Sequence, residues 1–254
     1  MNKDLSILFD NRPSKACKLS ILVPVRNDKR VFKLLDALKL QILPCAHVCI
    51  INDLKPSPLL RELPNPIQGV IFHSSKDMTI AEKTNALLAH ATGEWVVFIE
   101  SDTIPHKDWL TEILALCASG NPSAIHQGGE MYVKGRNFNN FLFRRDLGVP
   151  PFDNEMQYAQ DTAWFTNCET KGIPIIPHSM HALIFHDALT LEGDMRFFKF
   201  AHDYALIAIQ TRNGAFFRRR LLAESYYAIR GILSIFALIF YYCSFSLRRA
   251  CPGK

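Results

Sequence analysis

Short apolar runs that end in polar residues recur along the first half of the chain. They are rich in β-branched side chains, which is typical of buried strands. The four runs are KLSILVPV (18–25), HVCII (47–51), GVIFH (69–73) and WVVFI (95–99). The pattern predicts four buried strands, each followed by a loop.

Helical periodicity separates these strands. In residues 31–38 the valine and leucines fall on one face of a helix and the charged residues on the other. A second helix is predicted over 80–91, with Gly93 at its C-terminal cap. Strands that alternate with helices predict an α/β fold with a mostly parallel sheet flanked by helices.

The second half of the chain is less regular. Residues 137–151 are polar and predict a loop, residues 159–171 predict a helix, and GIPIIP and HALIFH predict short strands. No internal repeat or long linker divides this part of the chain. The predicted regions are an N-terminal extension (1–17), one domain (18–215) and a C-terminal tail (216–254).

Polar residues follow three of the predicted strands directly. They are Asn27-Asp28, Asn52-Asp53 and Glu100-Ser101-Asp102. Ligands of open α/β sheets bind at the carboxyl ends of the strands. We therefore expect these residues to converge on one binding site.

Composition and charge limit the partners. The 254 residues are 48% hydrophobic, enough for a sizeable core, and the formal net charge is +5. The excess of arginine is concentrated at 218–220, 230 and 248–249. That distribution indicates a membrane surface or a polyphosphate. A nucleic-acid partner is not expected, because basic and aromatic residues are not interleaved on the predicted sheet.

The cysteines and the N-terminus indicate a cytosolic domain. The seven cysteines show neither CxxC spacing nor a histidine cluster, so we expect reduced thiols. The first 18 residues contain no apolar run of signal-peptide length.

The tail contains an apolar segment, residues 231–247, with 17 residues and no charge. Arginines flank it and two tyrosines lie within it, a composition suited to a membrane interface. A helix that spans the bilayer, one that lies on its surface and one that packs on the domain all remain open. We expect membrane contact at the cytoplasmic face.

The acids after the fourth strand have a chemical use. Glu100 and Asp102 offer the hard oxygen ligands that Mg²⁺ and Mn²⁺ prefer, and such an ion neutralises a leaving phosphate. The alternative is structural, because acids often precede a helix and Pro105 suits a first helical turn.

Several segments in order resemble the family 2 glycosyltransferases. LSILVPVRND resembles the opening strand and loop of that family, and VCIIND the second strand with the acid that holds the nucleobase. AEKTNALLAHATGEWVVFIESDTIP resembles the helix, the strand and the metal-binding acid pair. FDNEMQYAQDTAWFTNCETKGIPIIP and ALIFH resemble the acceptor-side segment and the strand that follows it.

The resemblance implies a Rossmann-like A-type fold, with a nucleotide-sugar-binding half (18–110) and an acceptor-binding half (111–215). It implies Mn²⁺ or Mg²⁺ on Asp102 and Glu100, with His186 beside the metal or the diphosphate. The residues expected to bind the nucleotide-sugar are Pro24, Arg26, Asn27, Asp53, Asn85, Glu100, Ser101, Arg196 and Lys199.

Five of these residues have an ordinary alternative. Arg196 and Lys199 form a candidate diphosphate clamp or a solvated helix face. Asp53 is also typical of a turn, but its place after a buried strand at the predicted ligand edge favours binding, and Asn85 is typical of an exposed helix position. For His186 the alternative is a histidine that ends a strand. Trp109 and Trp164 are expected in the core.

The resemblance also implies the catalytic base. It places the base on Asp161, which takes the proton of an acceptor hydroxyl. The attack of that hydroxyl then inverts the configuration of the anomeric carbon. Glu100 and Gln160 depart from the usual Asp-x-Asp and Glu-Asp motifs of the family. The expected enzyme transfers a sugar to a glycan or lipid-linked acceptor in polysaccharide synthesis.

Two other readings of the sequence remain open. The departures at Glu100 and Gln160 are compatible with a degenerate protein that binds a nucleotide-sugar or a protein partner without turnover. A sugar nucleotidyltransferase would share the sheet and the metal, but PVRNDKRVFK lacks the glycine-rich phosphate loop that such an enzyme needs.

Overall fold

The computed structural model describes residues 5–12, 18–25, 28–41, 46–52, 60–74, 77–128, 140–155, 160–178 and 184–186. Of residues 52 and 184–186 it describes the backbone alone. All of these residues fall within one compact unit, Met1–Ala188.

Ten strands and four helices make up the described part of the chain. The strands are β1 (Leu5–Asp10), β2 (Leu19–Val25), β3 (Ala46–Asn52), β4 (Gly69–Ser74), β5 (Trp95–Phe98), β6 (Thr103–Pro105), β7 (Ile125–Gln127), β8 (Phe141–Arg144), β9 (Ile175–Pro177) and β10 (Ile184–His186). The helices are α1 (Val31–Lys39), α2 (Ile80–His90), α3 (Trp109–Ser119) and α4 (Gln160–Thr170).

Eight of these strands form one mixed sheet in the order β1-β4-β3-β2-β5-β8-β7-β9. Its centre, β4-β3-β2-β5, is parallel. The strands β1 and β8 are antiparallel to their neighbours β4 and β5. The predicted parallel sheet is therefore confirmed for the centre, while its flanks make the sheet mixed. β6 and β10 form a separate two-stranded sheet.

Helices cover both faces of the sheet, and each face has its own core. One core contains Leu34 and Leu38 of α1 together with Trp109 and Ile113 of α3. The other contains residues of α2 and α4, including Trp164. β2 lies between them and all seven of its residues are buried, as expected for a central strand that is apolar on both faces.

The structure corrects the prediction of a loop over 137–151. Phe141–Arg144 form β8, with three buried residues that pair with β5. The polar residues around this short run hide it in the sequence. Leu5–Asp10, in the N-terminal extension, also form a strand, β1, which pairs with β4 at the edge of the sheet.

The prediction that Gly93 caps α2 is also wrong. The helix ends at His90, and Ala91 follows in an extended conformation. Gly93 is required for another reason: a Cβ at this position would lie 2.6 Å from the backbone nitrogen of Ser20. The glycine therefore allows the chain to pass closely over β2 before β5 begins.

Among the helices of the described residues, none is long and apolar enough to cross a membrane. The segment 231–247, expected to contact a membrane, lies outside those residues.

Candidate active site

The polar residues that follow β2 and β5 meet at the point where the strand order reverses. The chain passes from β2 outward to β3 and β4 and then returns to β5 on the other side of β2. The strands β2 and β5 are parallel neighbours, so their carboxyl ends share one edge. This edge is the topological switch point, where α/β sheets bind their ligands.

Four side chains from the two loops form one hydrogen-bonded group, here named the switch-point cluster: Asp28, Arg30, Ser101 and Asp102. Asp28 Oδ1 accepts from Arg30 Nε at 2.9 Å and Oδ2 accepts from Ser101 Oγ at 3.0 Å. Arg30 Nη1 lies 3.2 Å from Asp102 Oδ2. One guanidinium therefore joins two carboxylates across the switch point.

Both carboxylates of the cluster are shielded from water. The side chain of Asp28 is 15% exposed and that of Asp102 is 13% exposed. Burial alone raises the pKa of the Asp28 carboxyl, but the hydrogen bonds from Arg30 and Ser101 outweigh it and lower the pKa below its ordinary value. Asp28 is therefore a fixed anion that orients Arg30.

A tight turn sets the position of the residues after β5. The carbonyl oxygen of Glu100 accepts from Thr103 Oγ1 at 2.7 Å and from Thr103 N at 3.3 Å. Ser101 and Asp102 lie within this turn. Thr103 then starts β6 and pairs in register with His186 of β10. The short strand β6 replaces the helix start that Pro105 suggested as an alternative.

Lys83 lies at the ligand edge and was not predicted from the sequence. It is fully buried on α2, and its Nζ donates to the carbonyl oxygen of Val25 at 2.8 Å. Val25 and Pro24 end β2 at the ligand edge. A lysine that falls among the buried residues of a helix is a signal of polar partners nearby, because burying an ammonium group without them is costly.

Asn85 uses its amide within the protein. Its Nδ2 donates to the carbonyl oxygen of Phe152 at 2.8 Å and to Asn154 Oδ1 at 3.0 Å. Its Oδ1 accepts from Phe152 N at 2.8 Å. These bonds join α2 to the segment before α4, which is a structural role. Binding of the nucleotide by Asn85 stays a prediction.

Asp161 lies in the first turn of α4, as the predicted helix over 159–171 requires. Its Oδ1 accepts from Thr162 N at 2.6 Å. The preceding residue, Gln160, is 9% exposed, and its Oε1 has no hydrogen-bond partner within the described residues. The helix is anchored by Trp164, whose ring lies 5.0 Å from that of Phe141 in β8.

The two candidate stacking tryptophans lie in the core, as expected. Trp109 is fully buried and its Nε1 donates to Asn140 Oδ1 at 2.8 Å. Trp164 is 1% exposed and its Nε1 donates to the carbonyl oxygen of Pro150 at 2.7 Å. Asn140 also donates its backbone N–H to Phe98, so it fixes α3 beside the end of β5.

The remaining predicted site residues lie outside the described part of the chain. They are Arg26, Asn27, Asp53, Arg196 and Lys199. The backbone of His186 is described, and its register with Thr103 places it on the strand beside the one that follows Asp102.

The donor set of the site fits a hard divalent cation. Asp102 supplies carboxylate oxygens, and Glu100 precedes it by two residues in the same turn. Within the described residues no group of three His, Cys, Asp or Glu side chains converges to hold a metal. Proteins commonly hold Mg²⁺ or Mn²⁺ by one or two carboxylates together with substrate phosphates, and Asp102 and Glu100 offer such a pair.

Solved structures share this fold. TarS 1-349 of S. aureus matches with 19% identity and a TM-score of 0.59, over 77% of this chain and 66% of that one. The same TarS fragment was also solved in complex with UDP-GlcNAc, at 18% identity and a TM-score of 0.59, over 77% of this chain and 67% of that one. The chain thus spans about two thirds of that fragment, and 40% of the longer TarS structure.

A third similar structure comes from Pyrobaculum calidifontis. Its mannosyltransferase PcManGT, in complex with GDP-Man and Mn²⁺, matches with 16% identity and a TM-score of 0.58. The match covers 96% of this chain and 78% of that one. At such low sequence identity the structural similarity shows the fold alone. The observed sheet and helices agree with the A-type glycosyltransferase fold that the sequence resemblance implies.

Sequence comparison gives the family. No curated protein sequence matches the chain significantly. The model of glycosyl transferase family 2, in contrast, matches residues 20–225, which is well over half of the chain and includes the switch-point cluster and α4. The chain therefore belongs to glycosyl transferase family 2.

Proposed function

We propose that the protein is an inverting, metal-dependent glycosyltransferase that moves a sugar from a nucleotide-sugar to a glycan or lipid-linked acceptor. The observation that carries the proposal is the switch-point cluster, in which two largely shielded carboxylates and an arginine meet at the edge where α/β sheets bind ligands. The complexes of TarS with UDP-GlcNAc and of PcManGT with GDP-Man and Mn²⁺ support it.

The diphosphate of the donor is assigned to the switch point. Asp102, with Glu100, would hold Mn²⁺ or Mg²⁺, and the ion would stabilise the charge that grows on the leaving nucleoside diphosphate. Lys83 holds the end of β2 in place through its hydrogen bond to the carbonyl oxygen of Val25. Ser101, through its bond to Asp28, keeps the two loops together.

Further donor contacts are assigned to residues outside the described part of the chain and to the end of β2. Asp53 would bind the nucleobase, and Arg196 and Lys199 the diphosphate. Pro24 with Arg26-Asn27 would contact the nucleotide, and His186 the metal or the diphosphate. These assignments rest on the resemblance of the segments that contain these residues to the family 2 glycosyltransferases.

Asp161 is the proposed base. It takes the proton of an acceptor hydroxyl while the oxygen of that hydroxyl bonds to the anomeric carbon. At the same time the bond from that carbon to the diphosphate oxygen breaks. A single base opposite the leaving group produces in-line attack and therefore inversion.

We assign the enzyme to the cytoplasmic face of a membrane and to the synthesis of a cell-surface polysaccharide. Residues 18–215 would form the catalytic domain, and 216–254 the tail that contacts the membrane. The arginines at 218–220 suit anionic lipid headgroups, and the apolar segment 231–247 suits the bilayer.

A thermal-shift experiment tests the proposal. Melting temperature is measured with UDP, GDP, dTDP or CDP, each with and without Mn²⁺. We expect one nucleotide to raise it in a metal-dependent way, and Asp102→Ala to abolish the shift. Asp108→Ala, which removes an acid that is 59% exposed, is the matched control and should keep the shift. Metal-independent binding, or none, would contradict the proposal.

A further inference from the structure

The outward side of α1 presents two large apolar side chains to solvent. Phe32 is 42% exposed, and Leu40, which follows the helix directly, is 86% exposed. Eight residues separate them, which places them about 12 Å apart along the helix axis and on the same side of it. Among the described residues, the other large apolar side chains exposed to a similar degree are Ile7 and Leu8 of β1.

Lysines share this side of the helix. The α1 face is defined here by the six exposed residues between positions 28 and 41, which are Lys29, Phe32, Lys33, Asp36, Lys39 and Leu40. Those from Phe32 onward fall within an arc of roughly 120° around the helix, and Lys29 lies in the turn that leads into it. With three lysines and one aspartate, the α1 face has a net charge of +2.

The neighbouring helix α3 does not cancel this charge. Both helices pack on the same face of the sheet, and Gln41 Oε1 accepts from Leu110 N at 3.0 Å where they meet. The exposed residues of α3 are small and neutral: Thr111, Ala115, Ala118 and Ser119. Glu112 is only partly exposed, and residues 106–108 add one lysine and one aspartate. This side of the sheet therefore presents a mildly basic surface with two apolar projections.

That composition fits a membrane surface better than it fits a protein. Lysine is depleted in protein–protein interfaces. On an anionic bilayer, in contrast, phenylalanine and leucine enter the boundary between headgroups and acyl chains, while lysines contact the headgroups. The aliphatic stem of a lysine also lies along an apolar surface while its ammonium group stays in water. A single acid, Asp36, opposes the three lysines of the α1 face.

We propose that the α1 face docks the domain on the surface of an anionic bilayer, in addition to the contact proposed for the tail. This inference rests on the proposed membrane location of the enzyme. α1 starts directly after Arg30 of the switch-point cluster, so docking brings the ligand edge of the sheet close to the lipid. A lipid-linked acceptor then reaches that edge without leaving the bilayer. Because one myristoyl chain alone binds a membrane only marginally, two side chains orient the domain and leave the anchoring to the tail.

Tryptophan fluorescence of the full chain tests this contact. The three tryptophans of the protein are at most 3% exposed, so Phe32→Trp adds an exposed indole to a background of buried ones. Vesicles of phosphatidylcholine and phosphatidylglycerol should shift the emission of this variant to shorter wavelength. Brominated phosphatidylcholine in the same vesicles should quench it, because the indole enters the apolar boundary.

The matched control is Ile7→Trp. Ile7 is 54% exposed, but it pairs in register with Phe72, whose side chain lies in the core on the other face of the sheet. Its indole is expected to keep its long-wavelength emission and to escape quenching when the same vesicles are added.

A second measurement addresses the lysines. Lys29→Gln and Lys39→Gln should each weaken binding of the full chain to these vesicles by roughly fivefold, because each removes a positive charge from the lipid surface. Lys171→Gln, which replaces an exposed lysine directly after α4, is the control and should change vesicle binding much less. Sedimentation with vesicles measures all three.

The possible failures can be told apart. If the full chain sediments with vesicles but the Phe32→Trp emission does not change, the inference is overturned and the membrane contact of the tail stands. Short-wavelength emission of this variant before vesicles are added, with no quenching by iodide, means that another part of the chain covers the α1 face and also overturns it. A full chain that does not bind vesicles overturns both the inference and the proposed membrane location, while metal-dependent nucleotide binding still tests the sugar transfer.

Discussion

At the scale of single residues, the clearest prediction concerns Asp161. Asp161→Asn should bind the donor with unchanged affinity and lose transfer by about 10²- to 10⁴-fold, because the amide cannot accept the acceptor's proton. Single-turnover kinetics together with donor titration measure the two effects. Glu169→Gln, an exposed acid on the same helix, is the control. Unchanged turnover of Asp161→Asn would rule out Asp161 as the base.

The meeting of the strand ends at Asp28 and at Ser101-Asp102 could be predicted from the sequence, because parallel neighbouring strands share an edge. The contacts of Arg30 and Lys83 could not. A sequence does not reveal which distant acid an arginine joins, or that a helical lysine is fully buried, since both follow from tertiary packing.

His47 gives a prediction for pH dependence. It is fully buried between Ser20 and Thr92, and burial lowers its pKa to about 4. Between pH 6.5 and 4 the unfolded chain takes up a proton there while the folded chain does not. The free energy of unfolding should therefore fall as pH falls through this range, by about 3 kcal/mol in total.

Urea denaturation at several pH values measures this loss. His47→Gln should flatten the dependence, whereas His106→Gln, at a histidine with a 42% exposed side chain, should not. An equally steep dependence in His47→Gln would show that other groups cause it. Arg12 and Asp10 are the charged residues that act on His47.

At the scale of elements, length and context decided what the sequence could predict. The central strands and α1, α2 and α4 were predicted because their apolar runs or periodicities are long. β8 was missed because FLFR is a short run inside polar sequence. The end of α2 was misplaced because Gly93 is needed for close approach to β2 and has no capping role.

Asn85 gives the prediction at this scale. Asn85→Ala removes the bonds to the buried backbone of Phe152 and should lower the free energy of unfolding by roughly 2–3 kcal/mol. Asn154→Ala, which removes one exposed bond, should cost less than about 0.5 kcal/mol. Chemical denaturation measures both. If the folded Asn85→Ala protein also loses nucleotide affinity, Asn85 contacts the donor as the resemblance implies.

At the scale of the whole molecule, the family model covers residues 20–225 and leaves the apolar segment 231–247 beyond its end. This segment carries the predicted membrane contact. Sequence could propose the contact because a charge-free run flanked by arginines is typical of an interface. The mode of contact depends on lipid and packing, which a linear pattern does not encode.

Truncation after Arg230 tests this contact. The shortened protein should move from the membrane pellet to the supernatant after centrifugation, because the apolar segment is removed. The full chain, expressed in parallel, is the reference. Continued sedimentation of the truncated protein would place the membrane contact elsewhere in the chain.

The bond between Ser101 and Asp28 joins residues 73 positions apart in the chain. The chain segment between them, which includes β3, β4 and α2, leaves the end of β2 and returns to the sheet beside it. Insertions or exchanges in the loops of that segment therefore do not have to move Asp28 and Ser101. Evolution, or a protein engineer, can rebuild the pocket expected to select the nucleobase and sugar while the reactive edge of the enzyme is inherited unchanged.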